Sequence, residues 1–410
     1  MRKTVLIFVV LLSIYALGTV LSPFGILGNP ALLKEDGTFL LKISPIFDMQ
    51  IFQNLLTLDN INAILNEEEI VISPNTMEHV IQNGIKFSLP VNISAYAHLN
   101  LFGLRLIPYV SVDGMINMNL PKTFSQILFG NEPKVETNLE STIQNFAKSD
   151  LKLSIGGNVL LGDLFVNANF FIPVAYSYAQ NTYAHAKYTS SATPACANLN
   201  VDAKLSLLST IDIQNFGNNF QNPEKLLEQI QKLIEKDAGL NLGFGYGNQN
   251  FGFAIKDITI KPAKVNYGLE FAVNAYAEYQ AEATDITFDA TYTVSQPIFF
   301  KLLEPIQITD NVKITAYYKD DGFFMWGIAG VYALNGDWAA KIYAGLNLLI
   351  LKAYYALGMF PTFYSHTIGV GFNVGLLNGD LQLTATTNDL NLIGSTTPGI
   401  GISLRLAGGL

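Results

Sequence analysis

Charge is scarce in this chain. Asp, Glu, Lys and Arg make up 14% of its 410 residues, against roughly 25% in an ordinary soluble domain, while half of the residues are hydrophobic. So apolar a chain is not a disordered, solvated one. Long apolar runs are scarce too. Beyond the N-terminus no stretch reaches the ~20 uninterrupted apolar residues that a spanning helix needs. The best, Ala339 to Phe360, is broken by Lys341, Asn347 and Lys352. An apolar chain without spanning helices has one main route into a membrane, the closed β-barrel.

Chemistry-bearing residues are also few. The single cysteine, Cys196, forms no internal disulfide and no cysteine metal site. Of the four histidines, His79, His98, His185 and His366, no two stand at a metal-binding spacing. There is no G-x-S-x-G, no phosphate loop and no H-E-x-x-H. The reading is therefore a non-enzyme with no cofactor and no metal. A net charge of −9 argues against nucleic acid, which attracts basic surfaces.

Among the features that are present, the N-terminus has the form of a secretory signal over residues 1–18. Arg2 and Lys3 precede an apolar core from Thr4 to Tyr15, and Ala16-Leu17-Gly18 is a small-x-small cleavage site. Export from a bacterial cytoplasm follows, with residues 19–410 as the mature chain.

The dominant signal is a period of two. From Ile85 the odd positions run Ile85, Phe87, Leu89, Val91, Ile93, while Lys86, Ser88, Asn92, Ser94 and His98 occupy even ones. Successive side chains of a strand point to opposite faces. The alternation recurs in Val265–Glu278, Ile286–Val294, Val312–Tyr317, Trp338–Asn347, Ile368–Leu376, Leu381–Thr386 and Ile400–Leu406. Many of these strands approach the 9–11 residues of a transmembrane β-strand. Turn signals separate them: Gly162-Asp163, Gly247-Asn248-Gln249-Asn250, Asp320-Asp321-Gly322, Asn335-Gly336-Asp337 and Asn378-Gly379-Asp380. The expected fold is all-β, an antiparallel up-and-down transmembrane β-barrel of about 14–16 strands with a few helical insertions. Aromatics beside the turns, such as Tyr318, Phe323, Phe324, Trp326 and Trp338, fit interfacial girdles.

Three segments break the alternation. Residues 45–83 carry helical spacing in Ile51, Leu55, Leu58 and Ile61. Residues 122–148 are polar and helix-like, with Glu136, Glu140, Gln144 and Lys148. Residues 215–238 contain an amphipathic run through Leu226, Leu227, Ile230, Leu233 and Ile234, with Pro223 at a first helical position. Each reads as a helical insertion at a barrel end or in the lumen.

The polar phase of the strands marks lumen-lining candidates, the charges that would set the field along a pore. They are Lys86, His98, Asp113, Lys152, Asp202, Lys204, Glu270, Glu278, Asp289, Lys313, Lys341 and Arg405. Glu270, Glu278 and Asp289 form an acidic stripe on neighbouring strands. The bland alternative is cross-lumen pairing that merely fills the barrel.

Near the start of the mature chain stands Gly28-Asn29-Pro30-Ala31-Leu32-Leu33, followed by a strand from Gly37 to Ser44. Further on come Leu56-Thr57-Leu58-Asp59, Leu120-Pro121-Lys122, Leu128-Phe129-Gly130-Asn131 and the closing strand Gly399 to Leu406. This layout, with Asn29, Pro30 and Ala31 as its N-terminal motif, resembles the FadL-like superfamily of outer-membrane barrels, including its PorV-like and TraF-like branches. The resemblance covers the chain in outline, with residue matches at the ends and around 56–131. It departs at the end, Leu406-Ala407-Gly408-Gly409-Leu410, where such barrels commonly carry an aromatic residue.

The resemblance implies an outer-membrane channel for passive uptake of small solutes, hydrophobic ones among them. It implies the lipid bilayer and the barrel-assembly machinery as partners. Two alternatives stand beside it: a PorV-like barrel that anchors or shuttles surface proteins, and a soluble exported all-β binding protein.

Overall fold

The computed structural model describes residues 41–54, 74–101, 104–130, 136–192, 195–212, 223–248, 250–281, 286–348, 350–374, 377–388, 390 and 399–409. The expected signal segment and Asn29-Pro30-Ala31 lie outside them. The chain begins with β1 (Leu41–Gln53), α1 (Pro74–Asn83), β2 (Ile85–Leu101), β3 (Leu104–Leu120) and α2 (Lys122–Phe129). Next come β4 (Thr137–Gln144), β5 (Ala147–Leu161), β6 (Leu164–Ser177), β7 (Tyr183–Ala192), β8 (Ala195–Ser209) and α3 (Pro223–Lys236). Then follow β9 (Gly239–Gly247), β10 (Phe251–Lys261), β11 (Ala263–Ala281), β12 (Ile286–Val294) and β13 (Ile298–Ile308). The last strands are β14 (Lys313–Asp320), β15 (Phe324–Ala333), β16 (Trp338–Asn347), β17 (Leu351–Met359), β18 (Tyr364–Val374), β19 (Leu377–Thr387) and β20 (Gly399–Gly409).

Fourteen of these strands close into an antiparallel barrel. The ring runs in sequence order through β1, β2, β3, β5, β6, β9, β10 and β14 to β20, skipping the inserted strands. It shuts where Phe47 of β1 lies opposite Ile93 of β2 on one side and Leu404 of β20 on the other. Closure leaves no free edge in the wall.

The two ends of the barrel differ. At one end the connections between β2 and β3, β5 and β6, β9 and β10, β14 and β15, β16 and β17, and β18 and β19 are two or three residues long. Leu41 and Gly409 lie at this end, since Lys42 is opposite Gly409. All the long connections leave from the other end.

Three of those long connections build a second sheet. Its rows are β4, β7, β8, β11 and then β12 and β13 end to end along one side of β11. The alternation sorts its faces. Ile143, Ala184, Ala203, Val273 and Val294 share one row of an apolar face. Thr142, His185, Asp202, Asn274 and Thr293 share a row of the polar face. α2 covers part of the apolar face, with Phe124 and Ile127 buried among Ala184, Ala186, Tyr188 and Ala197.

Several sequence expectations are corrected here. Val265–Glu278 and Ile286–Val294 are strands, but of the second sheet, not of the barrel. A sheet with one covered face alternates as a barrel strand does. Residues 45–53 do not join a helical insertion; they continue β1, because they pair with both β2 and β20. Among the described residues of 122–148 only Lys122–Phe129 is helical, and Thr137–Gln144 is a strand. Charges spaced by four fall on one helical stripe and equally on one strand face. Asn378-Gly379-Asp380 is no turn; it lies inside β19, paired with β20. The helix expected within 215–238 forms as α3, with Pro223 at its start.

The ring is apolar outward. On β15, Phe324, Trp326, Ile328 and Tyr332 are exposed and Met325, Gly327 and Ala329 are buried. Ile328 is 49% exposed, whereas the inward Lys341 on the neighbouring strand is 6% exposed. This inverts the sidedness of a water-soluble sheet. Aromatics stand at both rims of the band: Tyr318 and Trp326 lie 5.4 Å apart towards the short-turn end, and Tyr332 is opposite Trp338 at the other. At the long-connection end α3 rests on the outer wall, where its Leu233 and Ile234 pack with the outward Leu153, Ile172 and Val174. Below it on the same face of β6, Val166 is 56% exposed.

Candidate functional site

The ring turns two kinds of surface inward. One is apolar. Phe52, Tyr317, Met325, Tyr343, Tyr354, Phe360 and Phe363 belong to a single buried cluster. Phe363 stacks on Phe52 at 5.0 Å and on Phe360 at 4.2 Å, an offset arrangement that favours aromatic pairs. These rings reach the interior because their strands alternate and because β17 and β18 are joined by the short connection that carries Phe360 and Phe363.

The other surface is charged, and its charges come in opposite-sign groups. On one half of the ring Lys152 of β5 meets Asp310, Asp257 at 3.4 Å and Asp113 at 4.0 Å. Lys313 lies 3.4 Å from the same Asp257. Asn241 donates to Asp310 at 3.0 Å, and Thr259 Oγ1 accepts the Asp310 backbone N–H. Irregular backbone makes the knot possible. The β5–β6 register shifts between Leu151 and Lys152, and Asp257 sits at φ 62° in a break of the β9–β10 register. Bulges re-aim side chains in this way.

On the opposite half, Arg405 of β20 pairs with Asp48 of β1 at 3.8 Å and lies directly opposite Asp380 in register. Tyr354 donates to Asp380 at 2.9 Å, and Gln382 donates to it at 2.8 Å. Lys341 donates to Gln382 at 3.5 Å. At the short-turn end Lys319 pairs with Asp321 at 2.7 Å, which also accepts the Tyr343 hydroxyl.

Gly369 sets the position of Tyr354. The two are register partners, and a Cβ at Gly369 would stand 2.1 Å from the tyrosine ring. Gly369→Val is expected to push Tyr354 off Asp380 and destabilise the barrel by about 1–3 kcal/mol. Thermal unfolding in detergent checks this; an unchanged midpoint would refute the contact.

The sequence-predicted site residues divide in two. Asp113, Lys152, Lys313, Lys341 and Arg405 stand on ring strands, in or beside the charge groups just described. Lys86 and His98 are half-buried on β2, with His98 Nε2 3.4 Å from Ser44 Oγ. Asp202, Lys204, Glu270, Glu278 and Asp289 lie on β8, β11 and β12, outside the ring, on the polar face of the second sheet. There Lys204 pairs with Glu270 at 2.8 Å, and Glu278 is opposite Asp289. Asp202 accepts the Tyr183 hydroxyl and thereby holds that phenol above its usual pKa. Asp48, Asp257, Asp310, Asp380, Tyr354 and Gln382 were missed. Asp48 lay in a segment read as helical and Asp380 in one read as a turn. Asp257 and Asp310 reach the interior through backbone irregularities that alternation cannot anticipate.

Among the described residues no group of three or more His, Cys, Asp or Glu side chains is arranged to hold a metal ion. No known family matches the chain, and no curated protein does. Solved structures do align. The CymD monoaromatic hydrocarbon channel has TM-score 0.36 and 9% identity, over 96% of this chain and 94% of that one. The Pseudomonas putida toluene transporter TodX has TM-score 0.27 and 9% identity, over 96% and 94%. The outer membrane protein OpdK from Pseudomonas aeruginosa has TM-score 0.21 and 5% identity, over 90% and 98%.

Proposed function

We propose that this chain is an outer-membrane β-barrel channel that admits small, uncharged, hydrophobic solutes by passive diffusion. The observation that carries the reading is the inverted sidedness of a closed ring, apolar and aromatic on its whole outer face, with its charged side chains turned inward beside one aromatic cluster. Only a surface bathed in lipid makes the outward face favourable along its whole circumference. The outward apolar band on β15, from Phe324 to Tyr332, spans nine residues, within the ~9–11 that cross a bilayer. Short turns at one end and long connections at the other match the periplasmic and external sides of such barrels.

The solute class rests on the interior. Several of its charges sit in opposite-sign groups, Lys152 and Lys313 with Asp257 and Asp310, and Arg405 with Asp48. Where charge is compensated little net field remains to select ions, and the buried Phe52, Phe360 and Phe363 stack makes that part of the interior apolar. In reconstituted liposomes, benzyl alcohol is expected to equilibrate faster than in protein-free vesicles, and benzoate not to. Absence of flux for every solute tried would sink the proposal. Arg405→Gln removes the partner of Asp48 and the neighbour of Asp380. In planar bilayers it is expected to move the reversal potential in a salt gradient towards that of a cation-selective pore. An unmoved potential would mean that these charges do not face the conducting path.

A further inference from the structure

The second sheet ends in two open edges. β4 pairs with β7 alone, and β12 with β11 alone, among the described residues. Unpaired strand edges are templates for another strand, and proteins usually shield them with Lys, Pro or a bulge. β12 has no Lys, no Pro and no bulge, and Asp289 is its one charge. Tyr292 and Val294 on it are 78% and 61% exposed, on the part of the apolar face that α2 does not cover.

Strand polarity decides what can fill this edge. β4 and β12 are each antiparallel to the strand beside them, and two antiparallel pairings separate β7 from β11 through β8. β4 and β12 therefore run the same way, towards the barrel. A second copy that paired β12 with β12 antiparallel would have its barrel upside down, which one membrane forbids. A copy in the same orientation brings its β4 edge to this β12 edge as a parallel pair.

The two edges match. β4 has eight residues and β12 has nine. If the rows of the sheet run on into the next copy, Val294 meets its Ile143 and Tyr292 its Ser141 on the apolar face. On the polar face Thr293 meets Thr142, Thr291 meets Glu140 and Asp289 meets Asn138. No charge opposes a like charge, the arrangement that stabilises cross-strand neighbours. We infer that copies of this chain assemble head to tail in the membrane, β12 of one against β4 of the next, as a cyclic oligomer joined above the bilayer. A heterologous contact of this kind closes into a ring when the rotation permits. The inference rests on the membrane reading proposed above.

The test uses the full chain in nanodiscs, with Cys196→Ser removing the native thiol. The double variant Thr142→Cys/Thr293→Cys is expected to form disulfide-linked multimers on mild oxidation, since opposed strand positions fall within bridging distance. Each single cysteine variant is expected to stay monomeric on denaturing gels. Thr291→Lys/Thr293→Lys places charge on the edge and is expected to convert the assembly to monomers by mass photometry, with benzyl alcohol flux retained. Wild-type monomers at micromolar concentration would overturn the inference. So would cross-linking of Thr293→Cys alone, which signals antiparallel self-pairing. Flux measured on the same samples separates this result from failure of the channel reading.

Discussion

Lys152→Met is expected to lower the stability of the barrel by about 3–5 kcal/mol, the cost of leaving buried charges without their partner. Lys152 is 3% exposed and is the shared cation of Asp113, Asp257 and Asp310. Lys313 and Lys256 also face Asp257, but neither replaces the one cation that all three carboxylates share. The damage is electrostatic rather than steric, because Met keeps much of the stem volume. A compensating variant separates the two causes. Lys152→Met/Asp310→Asn removes one buried negative charge along with the positive one and is expected to recover part of the loss. Urea titration of protein folded into vesicles, read by heat-modifiable gel mobility, measures both. A single variant within about 0.5 kcal/mol of wild type, the usual scatter of surface substitutions, would show that the knot does not support the wall.

The second large effect is expected on the outer face. Ile328 stands midway between Phe324 and Tyr332 on the exposed side of β15. Ile328→Arg is expected to cost about 2–4 kcal/mol if that position sits at the bilayer midplane. Asn274→Arg on the exposed polar face of the second sheet is expected to change stability by less than about 0.5 kcal/mol. The contrast distinguishes lipid from water as the medium around the ring, since in water both arginines would be tolerated. The measurement is the folded fraction across a urea series in vesicles. Equal midpoints for the two variants would remove the membrane from the account.

The two substitutions also mark how far the residues could be read unaided. Ile328 belongs to an alternation visible in the chain, and the direction of its face follows from the period of a strand. Lys152 was also in phase, and the ring places it inward as its parity requires. Its partners were not legible. Asp310 lies in the connection after β13, Asp257 at a positive φ, and both depend on contacts more than 100 residues away in sequence. Glu270, Glu278 and Asp289 show the opposite failure. Their phase was right and their sheet was wrong, because alternation reports that a strand has two faces and not which sheet it joins.

The length and spacing of the two-faced strands, the site of α3 and the shortage of charge were set by local chemistry. Backbone pleat fixes a period of two, Pro223 suits a helix start, and apolar residues state what must be kept from water. Which strands close the ring was decided only by tertiary structure. Closure depends on β1 finding β20 across the whole chain and on β10 pairing with β14 rather than continuing into β11. Those choices are made by hydrogen-bond ladders between distant segments, and they turn the same alternating pattern into a barrel wall in one place and a projecting sheet in another.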